Sequence, residues 1–297
     1  MKKILLSVAV IAFVGTAIAG ATGAFFSDTE TSTGNTFTAG AIDLKIDNVQ
    51  HYNGMVCVTD EQEVYTWVPS DFVSLDDDNH PYIEGNYDAG VWNDANPGAY
   101  PMAGEDCVGT WTLTDLTGEK FFSFDDVKPG DMGENTISIH VENNEAWACV
   151  AVSNVEQADN TQTEPESSVD TDGLDSGELG GVLNFFAWAD DGDNIYEPGE
   201  DEVPFTQNPV SGNDIEDGVW AIADSSTGTP LDPNATAYVG VQWCAGDMTV
   251  DHNTGTITCD GTNVGNESQT DSMTADIEFT VVQSRNNLEF ICGEGDE

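Results

Sequence analysis

Val127-Lys128-Pro129-Gly130-Asp131, Ile137-Ser138-Ile139-His140-Val141, Asn143-Asn144 and Ala148-Cys149-Val150-Ala151-Val152 follow one another along the chain, and their reading decides the fold. Pro pre-sets φ at the first central position of a turn and Gly supplies positive φ at the second, so Lys128–Asp131 reads as a type II turn. Ile137, Ile139 and Val141 alternate with polar residues, the period-two mark of a half-buried strand. Asn143-Asn144 is a second turn signal, and Ala148, Val150 and Val152 begin a new alternation. The same pattern recurs outward at Ile42, Leu44 and Ile46, at Val239, Val241 and Trp243, and at Ile277, Phe279 and Val281. Leu183-Asn184-Phe185-Phe186-Ala187-Trp188 is denser, as suits a strand covered on both faces or packed under a loop. No helical period of three turns or more occurs after residue 24. The pattern predicts an all-β fold, an antiparallel β-sandwich. Residues 59–110 and 156–182, rich in Asp, Glu, Asn, Gly, Pro and Ser, read as long acidic insertions between core strands. Glu156–Gly181 has almost no large apolar residue and is expected to be a mobile surface loop.

The chain of 297 residues carries 55 Asp and Glu against 6 Lys and Arg, a formal charge of −49, yet 39% of it is apolar. That apolar share is enough for a core, so the charge belongs on surfaces and loops. Such a balance excludes non-specific nucleic-acid binding, which needs Lys and Arg to displace counterions, and argues against docking on anionic lipid. Cations are the natural small partners. Abundant carboxylates with few lysines also suit a protein that stays soluble in strong brine.

Met1-Lys2-Lys3 is a short basic segment, Ile4–Ala19 is apolar and uncharged, and Gly20, Ala21, Gly23 and Ala24 are small. This is the layout of a secretory signal over residues 1–24, with cleavage before Ala24 or Phe25. The competing reading is an N-terminal membrane anchor, weakened by the short apolar run and by Gly15 and Gly20. Cleavage removes Lys2 and Lys3 and takes the formal charge from −49 to −51. Residues 25–297 then read as one β-sandwich domain. Cys57, Cys107, Cys149, Cys244, Cys259 and Cys292 form an even set without C-x-x-C, which in an exported chain suggests three disulfides. The most economical of the many pairings is Cys57–Cys107, Cys244–Cys259 and Cys149–Cys292. The first two close local loops, and the third ties the C-terminus to a central strand. The C-terminus has no hydrophobic tail or sorting motif, so anchoring is expected to be non-covalent.

Gly23-Ala24-Phe25-Phe26-Ser27-Asp28-Thr29-Glu30, followed by Asn35-Thr36-Phe37-Thr38-Ala39-Gly40-Ala41-Ile42-Asp43-Leu44, resembles the start of the TasA/camelysin family. There a signal peptide ends in A-F-x-D and leads through a Thr/Ser-rich stretch to F-x-x-G-x-Φ-D-L. Val127–Asp131, the strand after it and Asn143-Asn144-Glu145-Ala146 are similar to that family's K-P-G-D turn, strand and N-N-G-x-A. The two blocks cover about a quarter of the chain. The insertions and the cysteines depart from the short, cysteine-free members. The resemblance implies a jelly-roll-like subunit of an extracellular fibre, matrix or surface layer, exported through a SipW-type signal peptidase. It further implies that residues 25–37, with Phe25, Phe26 and Phe37, are donated as a strand to the next copy of the chain. A strand inserted in this way gains main-chain hydrogen bonds and alternate side-chain pockets, and a head-to-tail contact propagates into a filament. The bland alternative is that residues 25–37 form an edge strand of their own domain.

Asp190-Asp191-Gly192-Asp193-Asn194-Ile195-Tyr196-Glu197-Pro198-Gly199-Glu200-Asp201-Glu202 holds seven carboxylates in thirteen residues. Calcium takes six to eight oxygens, roughly, from carboxylates, amides and carbonyls. Asp190, Asp191, Asp193, Asn194 and Glu200 are the expected ligands. The loop is not an EF-hand, because Ile195 stands where a ligand is needed and the Gly is misplaced. The competing reading is a solvated acidic loop. Asp76-Asp77-Asp78-Asn79 is a weaker candidate, and Asn234-Ala235-Thr236 and Asn266-Glu267-Ser268 are N-glycosylation sequons.

Signals for catalysis are sparse. No two of His51, His80, His140 and His252 are four apart, and H-E-x-x-H, G-x-S-x-G and a Walker loop are missing. The chain is therefore expected to be a secreted, non-catalytic structural protein whose partner is another copy of itself. The rivals are a monomeric adhesin or carbohydrate-binding module, which calls for exposed aromatics, and a secreted hydrolase, which calls for a pocket of convergent carboxylates or histidines.

Overall fold

The computed structural model describes residues 29–32, 35–38, 43–59, 64–76, 80–171 and 177–294. The expected signal and the donor residues Phe25 and Phe26 lie outside them, as do Asp77, Asp78 and Asn79. The strands are β1 (Thr29–Ser32), β2 (Asn35–Thr38), β3 (Asp43–Tyr52), β4 (Met55–Thr59), β5 (Tyr65–Pro69), β6 (Val73–Leu75), β7 (Pro81–Ile83), β8 (Trp111–Thr114) and β9 (Met132–Glu142). They continue with β10 (Ala146–Asp159), β11 (Leu183–Asp190), β12 (Val210–Ser211), β13 (Val219–Ala223), β14 (Thr236–Ala245), β15 (Asp247–Asp251), β16 (Thr256–Asp260) and β17 (Asp271–Gln283). Two short helices, α1 (Ala89–Ala95) and α2 (Leu179–Val182), lie within the insertions.

The chain is an all-β sandwich. One sheet runs β1-β2-β17-β10-β13 and the other β12-β11-β14-β9-β3-β4-β5, with β8 also on β3. The turn before β9 forms as its residues dictate. Gly130 sits at φ +88°, the Asp131 amide donates to the Lys128 carbonyl at 2.9 Å, and the Lys128 amide donates to Asp131 Oδ2 at 2.7 Å. Asn143, at φ +73°, then carries the chain from one sheet to the other. β9 and β10 therefore face each other across the core instead of pairing. Ile137, Ile139 and Val141 meet Ala146, Ala148 and Val150 there, with Leu44, Ile46 and Val239 on the first side and Phe279, Val281 and Trp220 on the second.

The pairing departs from an antiparallel sandwich at one place. Among the described residues, β2 lies parallel to β17, in register from Asn35 beside Ile277 to Thr38 beside Thr280. The other ladders, β1–β2 included, are antiparallel.

The described parts of the insertions hold regular structure that their composition does not announce. Residues 59–110 supply β5 to a sheet edge, the β6–β7 hairpin and α1. Tyr52, Trp67 and Trp243 build a second core there beside the Cys57–Cys107 disulfide. The mobile loop expected over Glu156–Gly181 is corrected for the described residues, while 172–176 lie outside them. Glu156–Asp159 extend β10 along β17, Leu179–Val182 form α2, and Glu166 is completely buried. The other disulfides join Cys149 to Cys292 and Cys244 to Cys259, the set that loop economy favours.

β11 is covered on both faces. Ala187 points into the sandwich, while Phe186 and Trp188 point outward beneath Tyr196 and the β15–β16 residues Met248, Val250 and Ile257. Gly240, opposite Trp188 on β14, makes the room: a Cβ there would lie 2.3 Å from Trp188 Cε2. Gly240→Val should therefore destabilise the protein by about 2 kcal/mol and lower its melting temperature by roughly 4–8 °C. Gly118→Ala, where nothing lies within 4 Å, should leave it unchanged. Thermal melts followed by circular dichroism compare the two, and equal midpoints would contradict the packing argument.

Candidate functional site

Two features join the sequence expectations to the fold. The first is the sheet edge beside β17. β17 holds β10 on one side over its full length, and on the other takes β2 along four residue pairs. β1 then folds back on β2 and becomes the outer strand. The segment expected to be donated is thus placed, from residue 29 on, against the sheet of its own chain. Phe37 falls in register with Phe279, a core residue that is 1% exposed.

The second feature is the acidic loop after β11. It crosses the outer face of the larger sheet, where alternation sets the even-numbered β9 residues Glu134 and Thr136 beside His51 and Val49 of β3. Asp190 and Glu200 brace the loop. Asp190 accepts from the Gly192 amide at 3.0 Å and the Asn194 amide at 3.1 Å, and Glu200 accepts from the Asp191 amide at 3.2 Å and the Glu197 amide at 2.8 Å. Carboxylate oxygens come within 4.8 Å of one another in two overlapping trios, Asp190–Asp191–Glu200 and Asp191–Asp193–Glu197. Four of the five expected ligands are brought together. Asn194 is not with them. At φ +66° it turns its side chain into the sheet, where Nδ2 donates to His51 Nδ1 at 2.7 Å and Oδ1 accepts from the Thr136 hydroxyl. Glu197 joins the cluster in its place. The sequence showed it in the same acidic run, but with no spacing that singled it out.

Burial and like charge shift these groups in the expected sense. Burial raises Asp190 and Glu200, and the charge of Asp193 raises Glu197. Glu134 is pushed up to about 8, first by burial and then by the charges of Asp190 and Asp193. Burial lowers His51 to about 4. Glu134 was legible only as an outward residue of β9, because nothing in the sequence announces that a loop will cover it.

The histidines stay apart. His80 lies by Asp76, His140 by Asp47 and His252 by Glu202. Ser138, His140 and Asp47 have the composition of a hydrolytic triad but not its geometry. Ser138 Oγ lies 3.0 Å and Asp47 Oδ2 3.5 Å from the same ring nitrogen, Nε2, and Ser138 is buried. A working triad sets acid and nucleophile on opposite nitrogens.

Residues 1–59 match the family model described as camelysin metallo-endopeptidase, and no curated protein matches the chain. The match supports the TasA/camelysin assignment for this N-terminal part. Together with the three disulfides it indicates an extracellular or surface protein. The metal that the family description implies does not find its usual donors. The matched residues hold one histidine, His51, and one cysteine, Cys57, which is in a disulfide. Among the described residues, the clusters able to hold an ion consist of carboxylates alone. Protease zinc calls for histidines on one site.

The shifts of Glu134 and His51 define a pH test. Between about 4.5 and 8 the folded state keeps a proton on Glu134 that the unfolded chain has released, so this residue makes stability fall as pH rises. His51 does the reverse between about 4 and 6.5, where the unfolded chain binds the proton first. The two slopes oppose below pH 6.5 and only that of Glu134 remains above it. In chelator-treated protein, denaturant melts from pH 6.5 to 8 should show a decline that Glu134→Gln reduces, by at most about 1.4 kcal/mol per pH unit. An identical slope in the variant would contradict the assignment.

Proposed function

We propose that the chain is a secreted, non-catalytic structural subunit that polymerises into a fibre, matrix or surface layer through exchange of its N-terminal strands. The observation that carries this reading is the β1–β2 hairpin on β17. It follows directly on the expected signal and is held by a short parallel ladder, whereas β17 is anchored to β10 throughout. Without the hairpin, β17 is an open edge, the kind of template that accepts a strand from another chain. The same ladder formed between copies preserves every main-chain bond while linking subunits head to tail. The family match covers this region and supports the reading.

The acidic loop is the proposed place for calcium in this function, held by Asp190, Asp191, Asp193, Glu197 and Glu200. Oxygen donors alone suit a hard cation, and a net charge of −49 leaves neighbouring subunits to repel unless cations intervene. The adhesin alternative gains little from the aromatics. Six of the seven tryptophans are buried, and Trp92 packs on the second core.

Mature protein with and without residues 25–38 tests exchange by electron microscopy. Filaments are expected only from the intact form, and filaments from both would end the proposal. Cysteines at Thr38 and Thr280, which face each other in the ladder, add a covalent readout. Oxidised assemblies should run as a ladder of multimers on a denaturing gel. Cross-linked monomer alone would identify a hairpin that stays at home and a protein that acts singly.

A further inference from the structure

A third carboxylate cluster lies at the far end of the sandwich, away from the acidic loop. It forms where β10 and β17 end their ladder. Asp159 and Asp271 are the last residue pair and stand directly opposite each other, an arrangement of like charges that destabilises a sheet. The connection leaving β10 then makes a 3₁₀ turn, Glu166–Ser168, that pushes a third acid into the same place. One oxygen from each of Asp159, Glu166 and Asp271 lies within 4.8 Å of the other two.

The burial of Glu166 sets this cluster apart from surface acids. Its relative exposure is 0%, which is rare for a glutamate without a charged partner. Its Oε2 accepts from the Thr163 amide at 2.8 Å, and the Thr270 hydroxyl lies 3.4 Å away. Oε1 is buried with no hydrogen-bond partner. Asp271 repeats the arrangement: Oδ2 accepts from the amides of Leu179, at 3.2 Å, and Glu178, while Oδ1 is buried and unpartnered. Both oxygens of Asp159 are buried, with the Thr161 backbone bonded to its carboxylate. Amides and hydroxyls thus hold one oxygen of Glu166 and one of Asp271 and leave the other oxygen of each buried without a hydrogen bond. The ion pairs among the described residues lie elsewhere, at Lys45, Lys128, His80, His140 and His252.

Burial raises Asp159 and Asp271, and Glu166 adds to both. Taking a carboxylate out of water without a cationic partner is costly, and like charges converging add to the cost. Protons shared among the three are one remedy, and a bound cation is the other. The donor set favours the cation. It is oxygen only, it includes buried oxygens that lack a partner, and backbone amides hold Glu166 and Asp271 in place, with the Glu178 side chain also bonded to Asp271. We infer that Asp159, Glu166 and Asp271 bind one calcium ion, with waters and main-chain carbonyls completing the shell. The ion clamps residues 160–171 onto the ends of β10 and β17. That role accounts for the order of a segment that has few apolar residues to bury, and whose visible ties are polar. Asn160 Nδ2 donates to the Thr270 carbonyl at 2.9 Å, and the Thr163 hydroxyl to Gln269 Oε1 at 2.9 Å.

The inference stands apart from the fibre proposal and from the loop at Asp190–Glu200, so the test separates the sites. Mature protein stripped with chelator is titrated with calcium chloride, with melting temperature, calorimetric heat and protease cleavage within 160–171 as readouts. Calcium should raise the melting temperature and protect the segment, with a dissociation constant on the order of 10⁻⁴–10⁻³ M if the site resembles other extracellular calcium modules. Glu166→Gln removes a repelling charge. In chelator it should melt at or above the wild type, but calcium should no longer protect the segment and affinity should fall at least tenfold. Asp159→Asn, at the strand end, should behave the same way and serves if Glu166→Gln fails to fold. Asp191→Asn, in the other loop, should keep the protection. No protection of wild-type 160–171 by calcium, or equal protection in wild type and Glu166→Gln, would overturn the site.

Discussion

Fifty-five acidic side chains share this molecule with six basic ones, so almost no carboxylate can find a partner among the chain's own cations. Lys45 serves two acids, Asp43 and Glu142, and Lys128 is spent on Asp126. Most other acids must be met by an amide, a hydroxyl, a histidine, a proton or an ion from solution. Asp224 shows the first solution in full. The amides of Ser226, Thr227 and Cys292 and the Ser226 hydroxyl all donate to it, and its carboxyl is held below the ordinary range despite burial. Asp190 and Glu200 are partly met in the same way. Asp159, Glu166 and Asp271 are the place where the amides run out.

The sandwich was legible because its core obeys simple periodicity. Ile137-Ser138-Ile139-His140-Val141 can bury only one face, and a one-residue slip would expose all three aliphatics. The turn at Lys128–Asp131 was legible for the same local reason, since Pro and Gly at those two positions leave the backbone little choice. What alternation cannot carry is which strand neighbours which. β9 and β10 are consecutive and joined by a tight turn, yet they belong to different sheets, because both have an apolar face that the other must cover. The parallel placement of β2 is likewise invisible in Asn35-Thr36-Phe37-Thr38, four residues whose partner lies some 240 positions away.

The candidate sites divide along the same line. Asp190, Asp191, Asp193 and Glu200 could be named because they are neighbours in sequence. Asn194 looked like one more oxygen donor. It is instead the peg that fixes the loop to His51 and Thr136, because a left-handed backbone at that position swings its side chain toward the sheet. Asp159, Glu166 and Asp271 were hidden altogether. Their convergence depends on a ladder that pairs residues 159 and 271 and on a turn that folds 166 back, and the low apolar content of 156–182 pointed toward mobility. Composition measures how much apolar burial a segment can supply, and it is blind to order imposed by polar contacts or by an ion.

That blindness bears on how such a protein can assemble. Subunits this acidic repel at long range in dilute salt, and the repulsion is screened over about 8 Å at physiological ionic strength and about 3 Å near molar salt. A hydrophobic interface alone would have to overcome that field at every contact. Main-chain pairing along β17 does not depend on side-chain charge, since its bonds run between amides and carbonyls. Backbone exchange is therefore the mode of association least penalised by a surface of carboxylates. The start of β17, at Asp271, belongs to the buried carboxylate trio, and its middle, at Ile277–Thr280, receives β2. One strand thus carries both a member of that buried trio and the edge beside β2.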